Sequence, residues 1–201
     1  DYLNTAKASE AIDESEEVFN IKREEALLDS RRISENVKYV LEHFAQKTKR
    51  NEKAYEFSRT LNIEEVAKAK YEAILNSRIE KKQLLKITGF NSIFAVASIE
   101  AAKRYYTEFK KQQELLTPDL RLKIATIYSY QANEELDGTY EENNENTELL
   151  DQSSRDFLEH AIEDYNKMFG TSYDTSSEKF QNYYKDLSLR VKNKEVDLLI
   201  V

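Results

Sequence analysis

Cysteine and histidine, whose thiolate and imidazole groups bind transition metals and carry much of catalysis, are scarce in this sequence. The chain has no cysteine, which excludes disulfides and thiolate metal sites, and its two histidines, His43 and His160, lie far apart. We interpret both histidines as structural or solvated. With 38 Asp and Glu residues, pairing of carboxylates is no sign of acid–base catalysis. The sequence therefore predicts no catalytic residues and no metal site.

Phosphate-binding loops are also missing from the sequence. Neither G-x-x-x-x-G-K-[ST] nor G-x-G-x-x-G occurs, and the G-x-S-x-G elbow of hydrolases is absent. The stretches NEELDG and DGTYEEN lack the ligand spacing of a calcium loop. We expect this segment to bind no nucleotide or metal cofactor by itself.

Charge is the feature that bears most on the partner. The net charge of -8 argues against a simple nucleic-acid-binding module, and residues 131–154 contain acidic residues but no Lys or Arg. Basic residues gather elsewhere, in groups that are usually solvated helix faces: Lys47, Lys49, Arg50 and Lys53; Lys81, Lys82 and Lys86; Lys103, Arg104, Lys110 and Lys111. Net charge alone therefore does not decide the partner.

Two tyrosine pairs, Tyr105-Tyr106 and Tyr183-Tyr184, fall on predicted helices. Helical geometry places one ring of each pair in the core and the other at the surface. The exposed ring could stack on a base, but core packing is the favoured interpretation.

The first half of the chain reads as helical. Residues 1–30 are a helical or linker segment, with a helix near 8–18. An amphipathic helix then spans 31–44 with Ser30 as its N-cap. A charged helix follows over 62–85, beginning at Asn62 and stopped by Thr88-Gly89.

The second half alternates strands and helices. The predicted order begins with a strand over 91–97, a helix capped by Ser98, a break at Pro118 and a strand over 122–128. An acidic loop over 131–154 follows, and then a helix capped by Ser153 or Ser154 and ended by Gly170. The last predicted elements are a helix capped by Ser176 or Ser177 and a strand over 196–201. This alternation predicts an α/β fold with a parallel sheet.

The stretch KNKEVDLLIV reads as a strand buried on both faces. We expect Val196–Val201 to lie inside the parallel sheet, beside 92–97 or 123–128. Ligand sites of such sheets lie in the loops after the carboxyl ends of strands, which here begin at Ser98, at Ser129 and after Val201.

Four stretches in this order resemble the motor (R, HsdR) subunit of type I restriction-modification enzymes: NVKYVLEHFAQKTKR, GFNSIFAVASIEAAKRYYTEFKK, LRLKIATIYSYQANEELDG and EKFQNYYKDLSLRVKNKEVDLLIV. The series of strands and helices also looks like the second RecA-like domain of a superfamily 2 helicase. The resemblance implies that residues 31–201 form part of a three-layer RecA-like domain ending inside the sheet, with an acidic insert at 131–154. Residues 1–30 contribute nothing to it.

The resemblance implies a much larger parent protein. Such subunits carry a nuclease domain, two motor domains and a helical domain that docks on the methyltransferase (M) and specificity (S) subunits. They use ATP and Mg²⁺ to pull double-stranded DNA past the complex and cleave it when translocation stalls. A cytoplasmic location without a membrane segment is expected.

Two positions of this sequence match helicase motifs. The stretch Phe94–Ile99 resembles motif IV, which implies DNA-backbone contacts by Ser98 with Lys103 and Arg104 one turn on. The last strand resembles the one leading into motif V, so a T-G-F-D-like loop and a Q-x-x-x-R-x-x-R-like motif are expected after Val201. Without them the segment alone is expected to be inactive.

Two other interpretations stay open. One is an acidic α/β or mainly helical module that binds a partner protein, supported by the insert and the polar N-terminal helices. The other is a domain of a different superfamily 2 motor, such as a repair or RNA helicase.

Overall fold

The computed structural model describes residues 23, 25–69, 79–128 and 152–201, and the predicted helix near 8–18 and most of the acidic insert lie outside them. In chain order the elements are α1 (Ser30–Lys47), β1 (Tyr55–Thr60), α2 (Ile63–Lys68), β2 (Lys82–Ile87), β3 (Ser92–Phe94), α3 (Ile99–Glu114), a 3-10 turn (Pro118–Leu120), β4 (Ile124–Thr126), α4 (Gln152–Phe169), α5 (Ser177–Lys192) and β5 (Leu198–Ile200). Among the described helices, none is long and apolar enough to cross a membrane.

The three-stranded sheet is parallel, with β5 at its centre between β3 and β4. Leu199 of β5 pairs with Ile93 on one side and with Ala125 on the other. This confirms that the last strand lies inside a parallel sheet, next to both candidate neighbours. Each strand is shorter than the apolar run that predicted it. Val196, for example, is buried but lies before the first residue of β5 that pairs with a neighbouring strand.

Alternate side chains of β5 enter two cores, one on each face of the sheet. Leu198 and Ile200 pack with residues of α1 and α3, whereas Leu199 packs against a cluster formed by α4 and α5. Helices therefore cover both faces, which is why β5 is apolar at consecutive positions. The fold is α/β with a parallel sheet, as expected, and it is compatible with a RecA-like domain.

Helix α1 has the predicted amphipathic pattern, with Ile33, Val37 and Phe44 buried. Its N-cap is Asp29 rather than the predicted Ser30, because Asp29 Oδ1 accepts a hydrogen bond from the Arg32 backbone N–H at 2.8 Å. A carboxylate at this position also interacts favourably with the helix dipole.

The predicted helix over 62–85 is wrong in its second half. Only Ile63–Lys68 is helical in the described part, and Lys82–Ile87 is strand β2, which pairs antiparallel with β1. Asn62 is the N-cap residue of α2, as predicted, but its side chain makes no capping hydrogen bond, and its Oδ1 accepts the Lys81 backbone N–H at 2.8 Å. A charged, mostly exposed strand has no strong apolar period, so its state depends on a partner strand distant in sequence.

The β1–β2 ribbon is fastened to the turn between α5 and β5. The ammonium of Lys194 lies 4.6, 5.0 and 4.4 Å from the ring centroids of Tyr55, Phe57 and Phe90, and it donates a hydrogen bond to the Tyr55 hydroxyl. Lys194 has a positive φ of 58°. An isolated two-stranded ribbon is marginally stable in water, so such contacts hold it on the domain.

Two predictions about the helices that flank the sheet need correction. Tyr105 and Tyr106 are both buried, because α3 packs against α1 on one side and α4 on the other. Helix α4 includes Gln152, so Ser153 and Ser154 lie in its first turn instead of capping it.

Other predicted helix boundaries are confirmed. Ser98 caps α3, Ser176 is the N-cap residue of α5, and Gly170, with φ of 70°, follows the last residue of α4. Tyr184 is 44% exposed, as expected for one member of its pair.

Candidate functional site

The carboxyl ends of β3, β4 and β5 meet at one edge of the sheet, where open α/β sheets bind ligands. Buried hydrogen bonds fix this edge: the Thr126 hydroxyl donates to the Ile200 carbonyl at 3.1 Å, and the Tyr183 hydroxyl donates to the Thr126 carbonyl at 2.8 Å. The strand ends are thus held by side chains from both β4 and α5.

Ser98 lies at this edge as the N-cap of α3. Its hydroxyl accepts a hydrogen bond from the Ala101 backbone N–H at 3.2 Å, and Glu100 occupies the first turn. Residues Ala95–Ala97 connect the end of β3 directly to the cap. The structure therefore confirms the predicted helix start at Ser98, whereas the strand ends at Phe94, earlier than predicted.

Arg104 lies one turn further along α3 and is half-exposed, with 46% of its side chain accessible. Its Nε donates to Glu100 Oε1 at 2.8 Å, and its Nη1 donates to the backbone carbonyl of Leu28 at 2.7 Å. Part of the Arg104 guanidinium faces solvent, while its Nη1 is bonded to the backbone of Leu28.

Lys103 is differently placed, with only 14% of its side chain accessible. Its ammonium donates to the hydroxyls of Ser153 and Ser154 at 3.1 and 3.2 Å and lies 3.7 Å from Glu100 Oε2. It therefore ties the first turn of α4 to α3. Of the two predicted cations, Arg104 is the more accessible.

A cleft of about 330 Å³ opens beside these residues, between the first turns of α1 and the end of β3. Its lining includes Phe94–Ala97 together with Arg32, Asn36 and Tyr105. Asn36 Nδ2 donates to the Tyr105 hydroxyl at 2.9 Å. Sequence reasoning missed Arg32, because only the packing of α1 on α3 brings it to this edge.

The described residues place one accessible cation, Arg104, one turn from the N-terminus of α3, and both features favour an anion. Tyr106, on the opposite flank of α3, is no proton donor, because burial first and the nearby Asp164 carboxylate second raise its pKa far above the ordinary range. Within residues 25–69, 79–128 and 152–201, no group of three or more His, Asp or Glu side chains could hold a metal ion.

The two histidines make contacts within their own helices, α1 and α4. His43 Nδ1 lies 2.9 Å from the Tyr39 carbonyl and its ring stacks on Tyr39, while His160 Nδ1 lies 2.7 Å from the Asp156 carbonyl. Each contact is local to one helix. This agrees with their interpretation as structural or solvated residues.

The sequence of this chain matches a known protein family. The family described as type I restriction enzyme subunit R, domain 3, matches residues 88–201, which is more than half of the chain and includes the whole parallel sheet.

Two relatives extend the similarity. The endonuclease subunit of a type I restriction enzyme from Staphylococcus aureus (strain COL) is 36% identical over 115 residues, covering 56% of this chain and 11% of the relative. The corresponding subunit from Staphylococcus saprophyticus subsp. saprophyticus is 30% identical over 174 residues, covering 85% of this chain and 13% of the relative. The chain thus spans about a tenth of the length of these relatives.

Proposed function

The chain belongs to the family of type I restriction enzyme R subunits, and from this premise we propose that it is part of an ATP-dependent DNA translocase motor. The parent protein would restrict foreign double-stranded DNA and cleave it after translocation, together with modification (M) and specificity (S) subunits. The segment described here would contribute part of the second RecA-like domain. Its relatives are named as endonuclease subunits, which supports the restriction function.

The observation that supports the motor role is the position of β5. It is the central strand of a parallel sheet, and its carboxyl end lies between those of β3 and β4. A loop leaving this position enters the crevice where ligands of open α/β sheets bind. In the proposed parent, that loop would be the one that senses nucleotide and DNA.

We place the DNA-backbone contact at Ser98, Lys103 and Arg104. A helix N-terminus has free N–H groups that favour phosphate, and Arg104 offers an accessible guanidinium one turn away. Lys103 would act mainly by holding α4 beside the contact, since its ammonium is engaged by two serine hydroxyls.

ATP and Mg²⁺ belong to the proposal for the parent and not to this segment. The sequence contains no phosphate-binding loop, and the described residues offer no cluster of metal ligands. The residues present therefore do not fit a nucleotide–metal complex on their own.

The proposal is tested by replacing Arg104 with Ala in the full-length parent subunit. Losing one phosphate contact is expected to slow translocation and to lower the slope of log K against log salt by about 0.9. Translocation rates and salt titrations on duplex DNA measure both quantities.

Arg121→Ala is the matched control. Arg121 is also exposed and also donates two hydrogen bonds, to the backbone carbonyls of Leu116 and Glu114, but it lies beyond the far end of α3. An unchanged rate and an unchanged salt slope for Arg104→Ala would contradict the proposed site.

A further inference from the structure

The short helical stretch before α1, residues 25–28, is held at the proposed site by two arginines. We call residues 25–28 the lead segment. Arg104 Nη1 donates to the Leu28 carbonyl at 2.7 Å, and Arg32 Nη1 donates to the Ala26 carbonyl at 3.3 Å. One arginine comes from α3 and the other from α1. The lead segment is therefore fastened to both helices that border the cleft.

These contacts satisfy carbonyls that the end of a helix leaves unpaired. The lead segment is separated from α1 by Asp29, whose extended backbone and capping side chain start the new helix. Terminal carbonyls need external donors, and cations near a helix C-terminus are favourable. Leu28 also packs partly buried against the first core, and Leu27 lines the cleft.

The guanidinium of Arg104 has two edges that can bind a phosphate with two parallel hydrogen bonds. One edge includes Nε, which is bonded to Glu100, and the other includes Nη1, which is bonded to Leu28. A phosphate that binds the edge formed by Nη1 and Nη2 would share Nη1 with the Leu28 carbonyl, so the two acceptors compete for the same nitrogen. The neutral carbonyl is the weaker partner, and its edge is farther from the repelling Glu100 carboxylate.

We propose that a DNA phosphate and the Leu28 carbonyl compete for Arg104, so that DNA binding releases the lead segment from α3. This inference rests on the proposed function, from which it takes its ligand. Because linkage is reciprocal, holding the lead segment in place weakens DNA binding by the same factor. Arg32 keeps its own bond to Ala26, so the segment would pivot rather than detach.

Such competition would couple the DNA site to the chain that enters α1. The contact to Leu28 joins residues 76 positions apart in sequence, and the segment it fastens precedes the part matched by the family. Release by DNA would change the direction in which the preceding polypeptide approaches this domain. Arg104 is thus a positioning residue for the lead segment as well as a proposed phosphate ligand.

Amide hydrogen exchange in the full-length subunit tests this inference, using a short non-specific DNA duplex as the probe. In the wild type, exchange of the peptide containing the lead segment is expected to rise several-fold when duplex is added. In Arg104→Ala, exchange is expected to be high without DNA and to rise no further. Arg32→Ala is the matched control. It removes the other hydrogen bond to the lead segment and should preserve the DNA-dependent rise in exchange.

The two proposals fail in different ways. If Arg104→Ala weakens duplex binding but wild-type exchange at the lead segment stays constant or falls on adding duplex, competition is disproved while the DNA site stands. If Arg104→Ala binds duplex with the wild-type salt slope, the DNA site itself is disproved, and the competition with it.

Discussion

The side chain of Asn193 pairs with the backbone of Thr60 in the manner of a neighbouring strand. Its Nδ2 donates to the Thr60 carbonyl at 2.7 Å, and its Oδ1 accepts the Thr60 N–H at 3.2 Å. Both residues are buried. The turn that leads into the central strand β5 is thereby fastened to strand β1, which lies in a separate sheet.

We expect Asn193→Leu to destabilise the chain by about 1–3 kcal/mol, because it leaves two buried backbone groups of Thr60 without partners. Urea denaturation measures the free energy of unfolding. The same substitution at exposed Asn51 serves as the control and should change it little. An equal, small effect at both positions would show that the pairing contributes nothing.

Gly89→Ala should destabilise the chain more than Gly170→Ala. Both glycines have φ of 70°, so an added Cβ strains both backbones by about 1–2 kcal/mol. At Gly89 the new atom would also lie 3.0 Å from Arg50 Cα and from the Thr48 carbonyl oxygen, whereas nothing lies within 4 Å at Gly170. Matched thermal denaturation compares them, and equal losses would contradict the steric argument.

Asp186→Ala should be strongly destabilising, by about 3–5 kcal/mol, because it removes the partner of a largely buried cation. The fully buried Asp186 carboxylate accepts hydrogen bonds from Arg190 Nε at 2.6 Å, from the Tyr173 hydroxyl at 3.1 Å and from the Tyr165 hydroxyl. Chemical denaturation measures the loss. Glu163→Ala, on the exposed side of α4, provides the control, and a similar small change in both variants would refute the prediction.

Stability should fall as the pH rises above about 10, the ordinary pKa of tyrosine. Burial first, and then the Asp186 carboxylate, raise the pKa of Tyr165 far above that value, and burial does the same for Tyr183. The unfolded chain then binds fewer protons than the folded chain, so raising the pH favours unfolding. The free energy of unfolding should drop by about 1.4 kcal/mol per pH unit for each such tyrosine.

Urea titrations at several alkaline pH values measure this slope. Tyr165→Phe removes one ionisable group and should make the slope shallower, even though it costs stability at neutral pH by leaving Asp186 with one donor fewer. A slope that stays the same in Tyr165→Phe would show that another group dominates the alkaline transition.

Local patterns were sufficient for the elements around the parallel sheet. The apolar runs at β3, β4 and β5, the cap at Ser98 and the glycine stop at Gly170 all follow from residue types and spacing. Strands β4 and β5 are apolar at consecutive positions because both of their faces are covered. The ribbon of β1 and β2 was not predictable in this way. Its outer positions are charged and exposed, so it depends on the partner strand and on distant contacts such as those of Asn193 and Lys194.

The candidate site also has a part that the sequence predicted and a part that it did not. Ser98 and Arg104 could be named from a cap followed by a cation one turn later, but what they touch could not. Arg32 lies in the cleft, Lys103 is buried against α4, and Arg104 donates a hydrogen bond to the Leu28 carbonyl. Each of these contacts is between residues tens of positions apart in sequence.

The sequence by itself determined the alternation of strands and helices, the central strand at the end of the chain and the family to which they belong, because each depends on neighbouring residues or on their order. Only the tertiary structure decided which donors of the arginines are engaged and by whom. Hydrogen bonds between distant segments depend on how helices pack against the sheet, and packing angles and distances are properties of the folded chain that no local spacing encodes.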